Sequence, residues 1–446
     1  MTRLSRRLTL GSCVLIASLM LAPLALSAAD RPPIVITDPS SNRYRAAVLR
    51  FAAATPDAAA LADDIRGGVE AGLLFSGLFE SIDSTAFLEP LTSRPLDQGP
   101  MVVCPNWRQI RADALVQGEI STTPTQIRVE FRVLDVSRSC LNLARKVYRV
   151  DRGDLGRVGK AVADDVVGAF TGIQGVSDTE IAFVSSRSGD KEIHVMDADG
   201  ANLRRATTHR SINMFPDWSP DGSSIVYTSY RHQNRPFLYM LTRGRRSPGR
   251  ILRDMNGNAQ YRAVFDPSGD RLAVVMSIEG ATEIFSVGRG GRDLKRLTRT
   301  RAIEVAPSWS PDGSQIAFVS DRAGAPQIYV MDSRGGNVRR LTFNGGYNAS
   351  PAWSPDGKWI AYESRVGGQM DIWLIDPEGE VNLPLIEHPR TDEHPAWSPD
   401  GRMLAFSSAR RGDSDIYVVD VNGRNLRKIT SHRADDTVPA WGPRRR

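Results

Sequence analysis

Residues 218–222 read Trp-Ser-Pro-Asp-Gly, and this stretch decides the fold of the 446-residue chain because it recurs at a fixed spacing. Identical copies begin at Trp309, Trp353 and Trp397, and degenerate copies begin at Phe265 and Trp441. Successive copies start 47, 44, 44, 44 and 44 residues apart. A period in this range is typical of supersecondary units that stack or are arranged radially.

Short apolar strands surround each copy of the motif. One follows the motif directly, as in residues 225–228 and 316–319, and the series begins with residues 181–184. Second and third strands follow across polar or Gly-rich turns, as in residues 328–332 and 338–342. Four-stranded units of this length predict an all-β propeller of six blades over residues 176–446.

The two ends of the repeat series are incomplete in complementary ways. The strand at residues 181–184 has no motif before it, and the motif at Trp441 has no strand after it. We therefore predict that the C-terminal strand ending near Trp441 completes the blade that begins at Ile181. Joining the two ends in one sheet removes a free edge and closes the ring.

The chain before the repeats has a different pattern. Apolar residues at intervals of four, from Leu61 to Leu73, predict a helix that begins at Pro56. Further helices are predicted from Asn106 and over residues 154–170, and strands over residues 114–120, 126–136 and 143–150. The fold class predicted is therefore mixed, with an N-terminal α/β (α+β) domain over residues 30–172 and the propeller after it.

The first 29 residues have the pattern of a secretory signal. Arg3, Arg6 and Arg7 precede an apolar run over residues 8–26, and small residues at 27–29 offer a cleavage site. A membrane anchor is the alternative because the run is close to spanning length, but Pro23 and the small residues favour cleavage. We therefore predict an exported protein from which residues 1–29 are removed.

Composition excludes several classes of protein. Apolar residues make up 41% of the chain and charged residues 24%, as in soluble globular proteins rather than disordered or membrane proteins. Removal of the three N-terminal arginines lowers the formal charge from +6 to +3, an excess too small to indicate a nucleic-acid partner. No later stretch is apolar enough to cross a bilayer, so direct membrane insertion is not expected.

Two cysteines, Cys104 and Cys140, remain after removal of the signal. An even pair in an exported protein is often bridged, which makes a disulfide one interpretation. Two buried thiols are the other, and the sequence leaves both open.

No arrangement of residues indicates catalysis. The chain lacks a Gly-x-Ser-x-Gly nucleophile motif, and its six histidines are scattered without metal-ligand spacing. The run Gly288-Arg289-Gly290-Gly291 resembles a phosphate loop, but it falls where the other repeats place a hairpin turn. The chain is predicted not to be an enzyme and to need no cofactor, although a cation in the propeller channel stays open.

The residues before each motif carry the candidate site. Six polar residues stand five positions before the motif's first residue, in what are expected to be loops around the channel mouth: Asn213, Gln260, Glu304, Asn348, Asp392 and Asp436. Such a ring could receive a cation, a basic loop or the backbone of a partner, or its members could serve only their own turns. The neighbours Phe215, Tyr261, Arg262, Glu393 and His394 are varied, which favours a face for protein recognition.

Taken together, these features resemble the TolB family of the Tol–Pal system in Gram-negative bacteria. The resemblance covers the whole mature chain and includes Ile34-Val35-Ile36, Asn106-Trp107-Arg108 before Ala-Leu-Val-Gln-Gly, and the blade motif. It implies a monomeric, non-enzymatic adaptor in the periplasm that supports outer-membrane integrity and envelope constriction during division. Residues 45–47 and the Phe265 copy of the motif depart from the family pattern.

The resemblance also implies partners. The lipoprotein Pal would bind the channel mouth, including residues 258–262 and Glu304, Val305 and Ala306, and TolA would bind Ile34, Val35, Ile36 and Thr37. Outer-membrane proteins and colicins are further partners of the family. The alternative from another class is an exported substrate-binding propeller derived from a peptidase of the prolyl-oligopeptidase type without its hydrolase domain.

Overall fold

The computed structural model describes residues 43–90, 92, 93, 95, 96, 102–254, 258–278 and 280–445. The predicted signal, residues 1–29, lies outside these ranges, as do Ile34, Val35, Ile36 and Thr37. The first described region contains mixed helices and strands, and strands alone follow from Glu180 onward.

The first region is built from three helices and six strands. They are β1 (Tyr44–Val48), β2 (Ala52–Ala53), α1 (Pro56–Phe75), β3 (Phe79–Ser81), α2 (Cys104–Gln109), β4 (Ala114–Thr122), β5 (Gln126–Asp135), β6 (Leu141–Asp151) and α3 (Leu155–Thr171). Helix α1 begins at Pro56, where the Thr55 hydroxyl accepts a hydrogen bond from the Ala58 backbone N–H at 3.2 Å. The predicted helices and strands are therefore confirmed, with ends shifted by one to four residues.

The six strands form one sheet in the order β3-β1-β4-β5-β6, with β2 paired to β4. Strands β3, β1 and β4 run parallel, whereas β4, β5 and β6 are antiparallel. Helices α1 and α3 cover one face and bury Ile65 and Val69 against Val162 and Val166. Trp107 of α2 is buried in a second cluster with Leu115 and Leu134. In this region Cys104 and Cys140 form a disulfide, with Cα atoms 5.9 Å apart.

The rest of the chain forms six four-stranded sheets, which are the blades of a propeller. Blade 1 contains β7 (Glu180–Ser188), β8 (Asp190–Asp197) and β9 (Arg204–Arg205), and blade 2 contains β10 (Asn213–Trp218), β11 (Ser224–His232), β12 (Arg235–Thr242) and β13 (Gly249–Arg250). Blade 3 contains β14 (Gln260–Phe265), β15 (Arg271–Ile278), β16 (Ala281–Gly288) and β17 (Lys295–Arg296). Blade 4 contains β18 (Glu304–Trp309), β19 (Gln315–Ser320), β20 (Gln327–Asp332) and β21 (Arg339–Arg340). Blade 5 contains β22 (Asn348–Trp353), β23 (Ile360–Val366), β24 (Gln369–Ile375) and β25 (Asn382–Ile386). Blade 6 contains β26 (Asp392–Trp397), β27 (Met403–Arg411), β28 (Asp413–Asp420) and β29 (Arg427–Lys428), and the chain ends with β30 (Asp436–Trp441).

The ring closes as the repeat pattern predicts. Strand β30 pairs antiparallel with β7, so that Trp441 lies opposite Ile181 and Thr437 opposite Val184. Blade 1 is thus made from both ends of the repeat series, in the order β30-β7-β8-β9. Each innermost strand also contacts the innermost strands of both neighbouring blades, which completes the wall of the channel.

One sequence expectation about the blades is corrected. The residues before each Trp were expected in loops, but they form the innermost strand of each blade, from Asn213 to Trp218 in blade 2. The apolar run after each motif is therefore the second strand from the channel rather than the first. Most innermost strands have Pro at their fourth position. Because Pro is rare inside paired strands, these segments were not predicted to be strands.

The motif itself builds the turn between the first and second strands of a blade. In blade 2 the Ser219 hydroxyl donates to Asp221 Oδ1 at 2.5 Å, and Asp221 Oδ1 accepts from the Ser223 N–H at 2.9 Å. The Trp packs between blades, since Trp218 clusters with Val184 and Ile193 of blade 1. The motif is therefore structural. It holds in place the innermost strand that precedes it in each blade.

The α/β region contacts blades 1 and 6. Lys160 Nζ of α3 lies 2.8 Å from Asp197 Oδ2 at the end of β8. Arg427 of blade 6 donates to the carbonyl oxygen of Phe75 at 2.8 Å. These contacts lie at the end of the propeller that carries the motif turns, so the opposite channel mouth is left uncovered by this region. None of the helices in the described ranges is long and apolar enough to span a bilayer.

Candidate partner-binding site at the propeller channel

The six polar residues singled out by the sequence are not a ring of side chains open to solvent. Each is the first residue of the innermost strand of a blade, and each has an exposed fraction of 0%. The six are Asn213, Gln260, Glu304, Asn348, Asp392 and Asp436. Their expected position in loops around the channel mouth is therefore corrected, because buried polar side chains are held by partners inside the protein.

The three carboxylates pair with arginines of their own blades. Arg322 Nη2 lies 3.0 Å from both carboxylate oxygens of Glu304. Arg410 Nη2 lies 2.7 Å from Asp392 Oδ2. Arg187 pairs with Asp436 in the same way. A buried carboxylate is tolerated when a cation compensates its charge, so these pairs fix the innermost strand to the strand beside it.

The three amides also bond within the propeller. Asn213 Nδ2 donates to Glu192 Oε2 at 2.9 Å, and Asn348 Nδ2 donates to Gln327 Oε1 at 2.8 Å. Gln260 Nε2 donates to the carbonyl oxygen of Arg253 at 2.9 Å. Across the described ranges, no group of three or more His, Cys, Asp or Glu side chains is placed to hold a metal ion.

A bulge in each innermost strand turns other side chains towards the channel. The pairing register shifts after the first or second residue of all six strands. The third residue has a positive φ of 49° to 56° in five of them, at Phe215, Ala306, Ser350, His394 and Val438. A left-handed conformation in residues other than Gly costs of order 1 kcal/mol each, and bulges of this kind commonly re-aim side chains at functional sites.

The bulged strands surround a cavity of about 530 Å³ at the uncovered channel mouth. Among the residues predicted from the sequence, it is lined by Phe215, Tyr261, Arg262, Val305 and His394. These five are brought together, whereas the six buried polar residues are not part of the lining. The cavity is of the size that accepts a protruding segment of a partner.

Sequence reasoning missed several lining residues. Tyr347 and Glu363 line the cavity, and Ile303 stands at its rim with an exposed fraction of 53%. Glu363 lies in the second strand of blade 5, so its distance from the motif gave no signal. Ile303 and Tyr347 immediately precede the innermost strands of blades 4 and 5, so they lie one position before the residues that the motif spacing singled out.

Positive and negative side chains influence one another near this mouth. Burial lowers the pKa of the Arg262 guanidinium, and the carboxylates of Asp217 and Glu363 oppose that shift. Burial raises the pKa of Asp217 to about 6. Glu363 Oε2 accepts a hydrogen bond from the His394 backbone N–H at 2.9 Å. Burial, followed by repulsion from Glu363, raises the pKa of Glu393.

The cavity can therefore offer a partner both polar and apolar contacts. Arg262 and Glu363 supply opposite charges inside it, while Phe215, Tyr261 and Ile303 supply apolar surface. Nδ1 of His394 is buried there and has no hydrogen-bond partner among the described residues. This combination of aromatic surface, an arginine and an unpaired polar atom is typical of protein recognition.

The fold and the cavity define a class of protein: a six-bladed propeller behind an α/β region, with a cavity at the channel mouth opposite that region. Residues 167–445 match the model of the TolB beta propeller domain, and residues 32–141 match that of the TolB amino-terminal domain. The chain belongs to the TolB family of Tol–Pal system proteins.

Individual relatives agree with this assignment. The Tol-Pal system protein TolB of Anaeromyxobacter dehalogenans is 35% identical over 305 residues, which cover 68% of this chain and 68% of the relative. The protein of the same name from Ruegeria sp. is 36% identical over 298 residues, covering 65% and 66% of the two chains. The crystal structure of TolB from Acinetobacter baumannii superposes with a TM-score of 0.75 at 25% identity, over 90% of this chain and 97% of that one.

Proposed function

We propose that this protein is a non-enzymatic adaptor of the Tol–Pal system that acts in the periplasm. In this proposal the channel mouth binds Pal, and Ile34, Val35, Ile36 and Thr37 bind TolA. The adaptor would thereby support outer-membrane integrity and the constriction of the envelope during division. Family membership supports a role in the Tol–Pal system, and the two binding roles are inferences from the geometry and the sequence.

The observation that carries the Pal assignment is the cavity at the uncovered mouth. Five of its six bulged strands hold their third residue in a left-handed backbone conformation that costs free energy, and the ion pairs of the buried carboxylates beneath them make the wall rigid. A rigid wall around a cavity lowers the entropic cost of binding a protruding segment. The exposed Ile303 and the half-buried Tyr261 are placed to contact such a segment first.

The TolA assignment rests on a different feature. Ile34, Val35, Ile36 and Thr37 form a β-branched run between Pro33 and Asp38, and the amino-terminal family match begins at residue 32. A short β-branched segment near a chain terminus is suited to adding a strand to the edge of a partner's sheet. We therefore infer binding by backbone hydrogen bonds, with specificity from alternate side chains.

The Pal assignment is tested by replacing apolar surface at the mouth. The double variant Tyr261→Ala/Ile303→Ser should weaken Pal binding at least about tenfold in calorimetry, because it removes central apolar contacts. The matched control is Val338→Ser/Phe343→Ala, which removes exposed apolar side chains from the outside of blade 4. Both variants should melt like wild type, and equal Pal affinity in the two would contradict the assignment.

The TolA assignment is tested separately by replacing residues 34–37 with four serines. This variant should lose capture by TolA while it keeps wild-type affinity for Pal at the mouth. The mouth variant should show the opposite pattern. If the serine variant still captures TolA, the segment is not the binding site.

A further inference from the structure

The repeated architecture allows one turn to be compared across all six blades. Equivalent positions lie at the end of the third strand from the channel, or one residue past it in blade 5. They are Asp197, Thr242, Gly288, Asp332, Asp376 and Asp420. In four blades this residue is Asp, and its carboxylate closes the turn that follows. Asn337 Nδ2, for example, donates to Asp332 Oδ2 at 2.7 Å, and Asn202 Nδ2 donates to Asp197 Oδ2 at 2.8 Å.

Blades 2 and 3 replace this turn with arginine-rich sequence. Residues 243–246 read Arg-Gly-Arg-Arg, and residues 288–292 read Gly-Arg-Gly-Gly-Arg. The second run is the one that resembles a phosphate loop, and its Gly291 has a φ of +77° and packs against the carbonyl of Ile251. Because four blades make the same turn without an arginine cluster, the turn itself does not require one.

The two turns form one surface. The Arg243 backbone N–H donates to the carbonyl oxygen of Ser223 at 2.9 Å, and Arg289 Nη2 donates to Ser223 Oγ at 3.0 Å. Both turns therefore flank Ser223, the residue that follows the motif of blade 2. Arg250 extends the surface, held 3.7 Å above the Phe237 ring. We call this surface the basic patch, and it comprises Arg243, Arg245, Arg246, Arg250, Arg289 and Arg292.

The basic patch belongs to a wider imbalance of charge in the propeller. Residues 200–301 carry 18 Lys and Arg against 8 Asp and Glu, a net charge of +10. Residues 302–445 carry 16 against 19, a net charge of −3. The small net charge of the whole chain therefore hides one strongly basic side, and such asymmetry indicates an anionic partner.

The basic patch is also accessible. Arg245, Arg246 and Arg292 are exposed, and their side chains make no hydrogen bond or ion pair within the part of the chain that the structure describes. At the same end of the propeller the described α/β region bonds to Asp197 of blade 1 and to Arg427 of blade 6, and Arg157 of α3 lines a cavity with Arg243. Arg245, Arg246 and Arg292 lie outside that cavity.

We propose that the basic patch binds the anionic surface of a phospholipid membrane. A protein partner would need buried apolar anchors, yet residues 243–250 and 288–292 present no exposed large apolar side chain. Arginine guanidinium groups pair with lipid phosphates through two parallel hydrogen bonds, and several of them act additively on a charged surface. The surface would adsorb the protein without inserting any segment.

This binding would be independent of the channel mouth, which lies at the other end of the propeller. A protein held on a membrane by blades 2 and 3 would keep that mouth free for a partner. If the basic patch does not bind membranes, the proposed binding of Pal at the channel mouth is unaffected. If the channel mouth does not bind Pal, the membrane proposal is likewise unaffected.

The test is co-sedimentation of the purified protein with vesicles of phosphatidylcholine, with or without phosphatidylglycerol, at low and physiological salt. Wild type should bind only the vesicles that contain phosphatidylglycerol, and less at higher salt. Arg245→Glu/Arg246→Glu should weaken this binding by on the order of tenfold or more. The matched control Arg334→Glu/Lys358→Glu reverses two exposed charges in turns of blades 4 and 5, so it should bind like wild type.

Circular dichroism of both double variants should match wild type, which separates binding from folding. Absence of wild-type binding to phosphatidylglycerol vesicles would overturn the proposal. Equal weakening by the two double variants would also overturn it, because net charge rather than the patch would then be responsible. Binding to soluble heparin without binding to vesicles would assign the patch to a polyanion instead of a membrane.

Discussion

The indole Nε1 of Trp441 donates a hydrogen bond to Thr179 Oγ1 at 2.8 Å, although 262 residues separate the two in the chain. The contact joins β30, the last strand of the propeller, to Thr179, which immediately precedes the first propeller strand, β7. It fixes the closure that pairs Trp441 with Ile181.

Deletion of residues 436–446 should therefore abolish the cooperative unfolding of the propeller. The deletion removes β30, exposes an edge of β7 and uncovers the buried Ile181 and Phe183. Removal of Arg446 alone should change the free energy of unfolding by about 0.5 kcal/mol or less, because it leaves β30 complete. Urea unfolding followed by tryptophan fluorescence compares the two. Similar transitions for both shortened chains would contradict closure through β30.

Two of the C-terminal arginines make specific contacts with buried groups of the protein. Arg445 pairs with Asp197, and its guanidinium also lies 3.5 Å from Asp178 and Glu180. Arg444 Nε donates to the carbonyl oxygen of Gly175 at 2.6 Å. The tail therefore ties blade 1 to the segment that follows α3.

Arg445→Ala should lower the free energy of unfolding by about 2 kcal/mol, because it removes one of the cations that compensate the buried carboxylates of Asp178, Glu180 and Asp197. Arg433→Ala, which removes an exposed arginine before β30, is the matched control and should have little effect. Thermal unfolding at neutral pH measures both. An equal loss of stability in the two variants would show that Arg445 makes no specific contribution.

Glu304 should prove to be a structural residue rather than a contact for a partner. It is fully buried and accepts hydrogen bonds from Arg322 and from the Ser320 hydroxyl at 3.0 Å. Glu304→Gln should cost about 1.5–3 kcal/mol in unfolding free energy, since the buried position loses its charge-assisted hydrogen bonds to Arg322. At a temperature where the variant is folded, its affinity for Pal should equal that of wild type. If a stable variant binds Pal more weakly than wild type, Glu304 contributes to Pal binding and the prediction is wrong.

Asp164 of α3 should make stability depend on pH near neutrality. Its two oxygens accept from the Ser177 and Asp178 backbone N–H groups at 2.7 Å and 2.9 Å. Burial nevertheless raises the pKa of this carboxyl to about 7, above the value of about 3.9 in an unfolded chain. Between these values the native state binds more protons than the unfolded state, so stability falls as pH rises through the window.

The free energy of unfolding of wild type should accordingly decrease between about pH 5 and pH 8, and Asp164→Asn should reduce that slope. Asp221→Asn is the control. Hydrogen bonds from Ser219 and Ser223 lower the pKa of Asp221, so its contribution is lost only as pH falls below its unfolded pKa. Urea unfolding at several pH values measures the slopes, and an unchanged slope in Asp164→Asn would contradict the assignment.

The candidate site could be predicted only in part. The motif spacing correctly directed attention to the residues just before each Trp, and Phe215, Tyr261, Arg262, Val305 and His394 do line one cavity. The polar residues one or two positions earlier were assigned to the same surface, but they are buried. A bulge in the strand separates the two sets, and no rule of alternation applied to the sequence reveals a bulge.

The sequence by itself determined the number of blades, the closure of the ring and the order of the two regions. These features depend on period and on local turn chemistry, because Ser, Pro, Asp and Gly form the same turn wherever they recur.

Only the tertiary structure decided which polar residues face a partner and which hold the wall. Glu304 and Arg262 stand at nearly the same distance from their motifs, yet one is paired inside a blade and the other faces the channel. The difference arises from contacts between strands and blades, such as Arg322 with Glu304, that are made only when the ring is assembled. The burial and pairing of these side chains depend on residues that are distant in the sequence, so the residues around each motif do not reveal them.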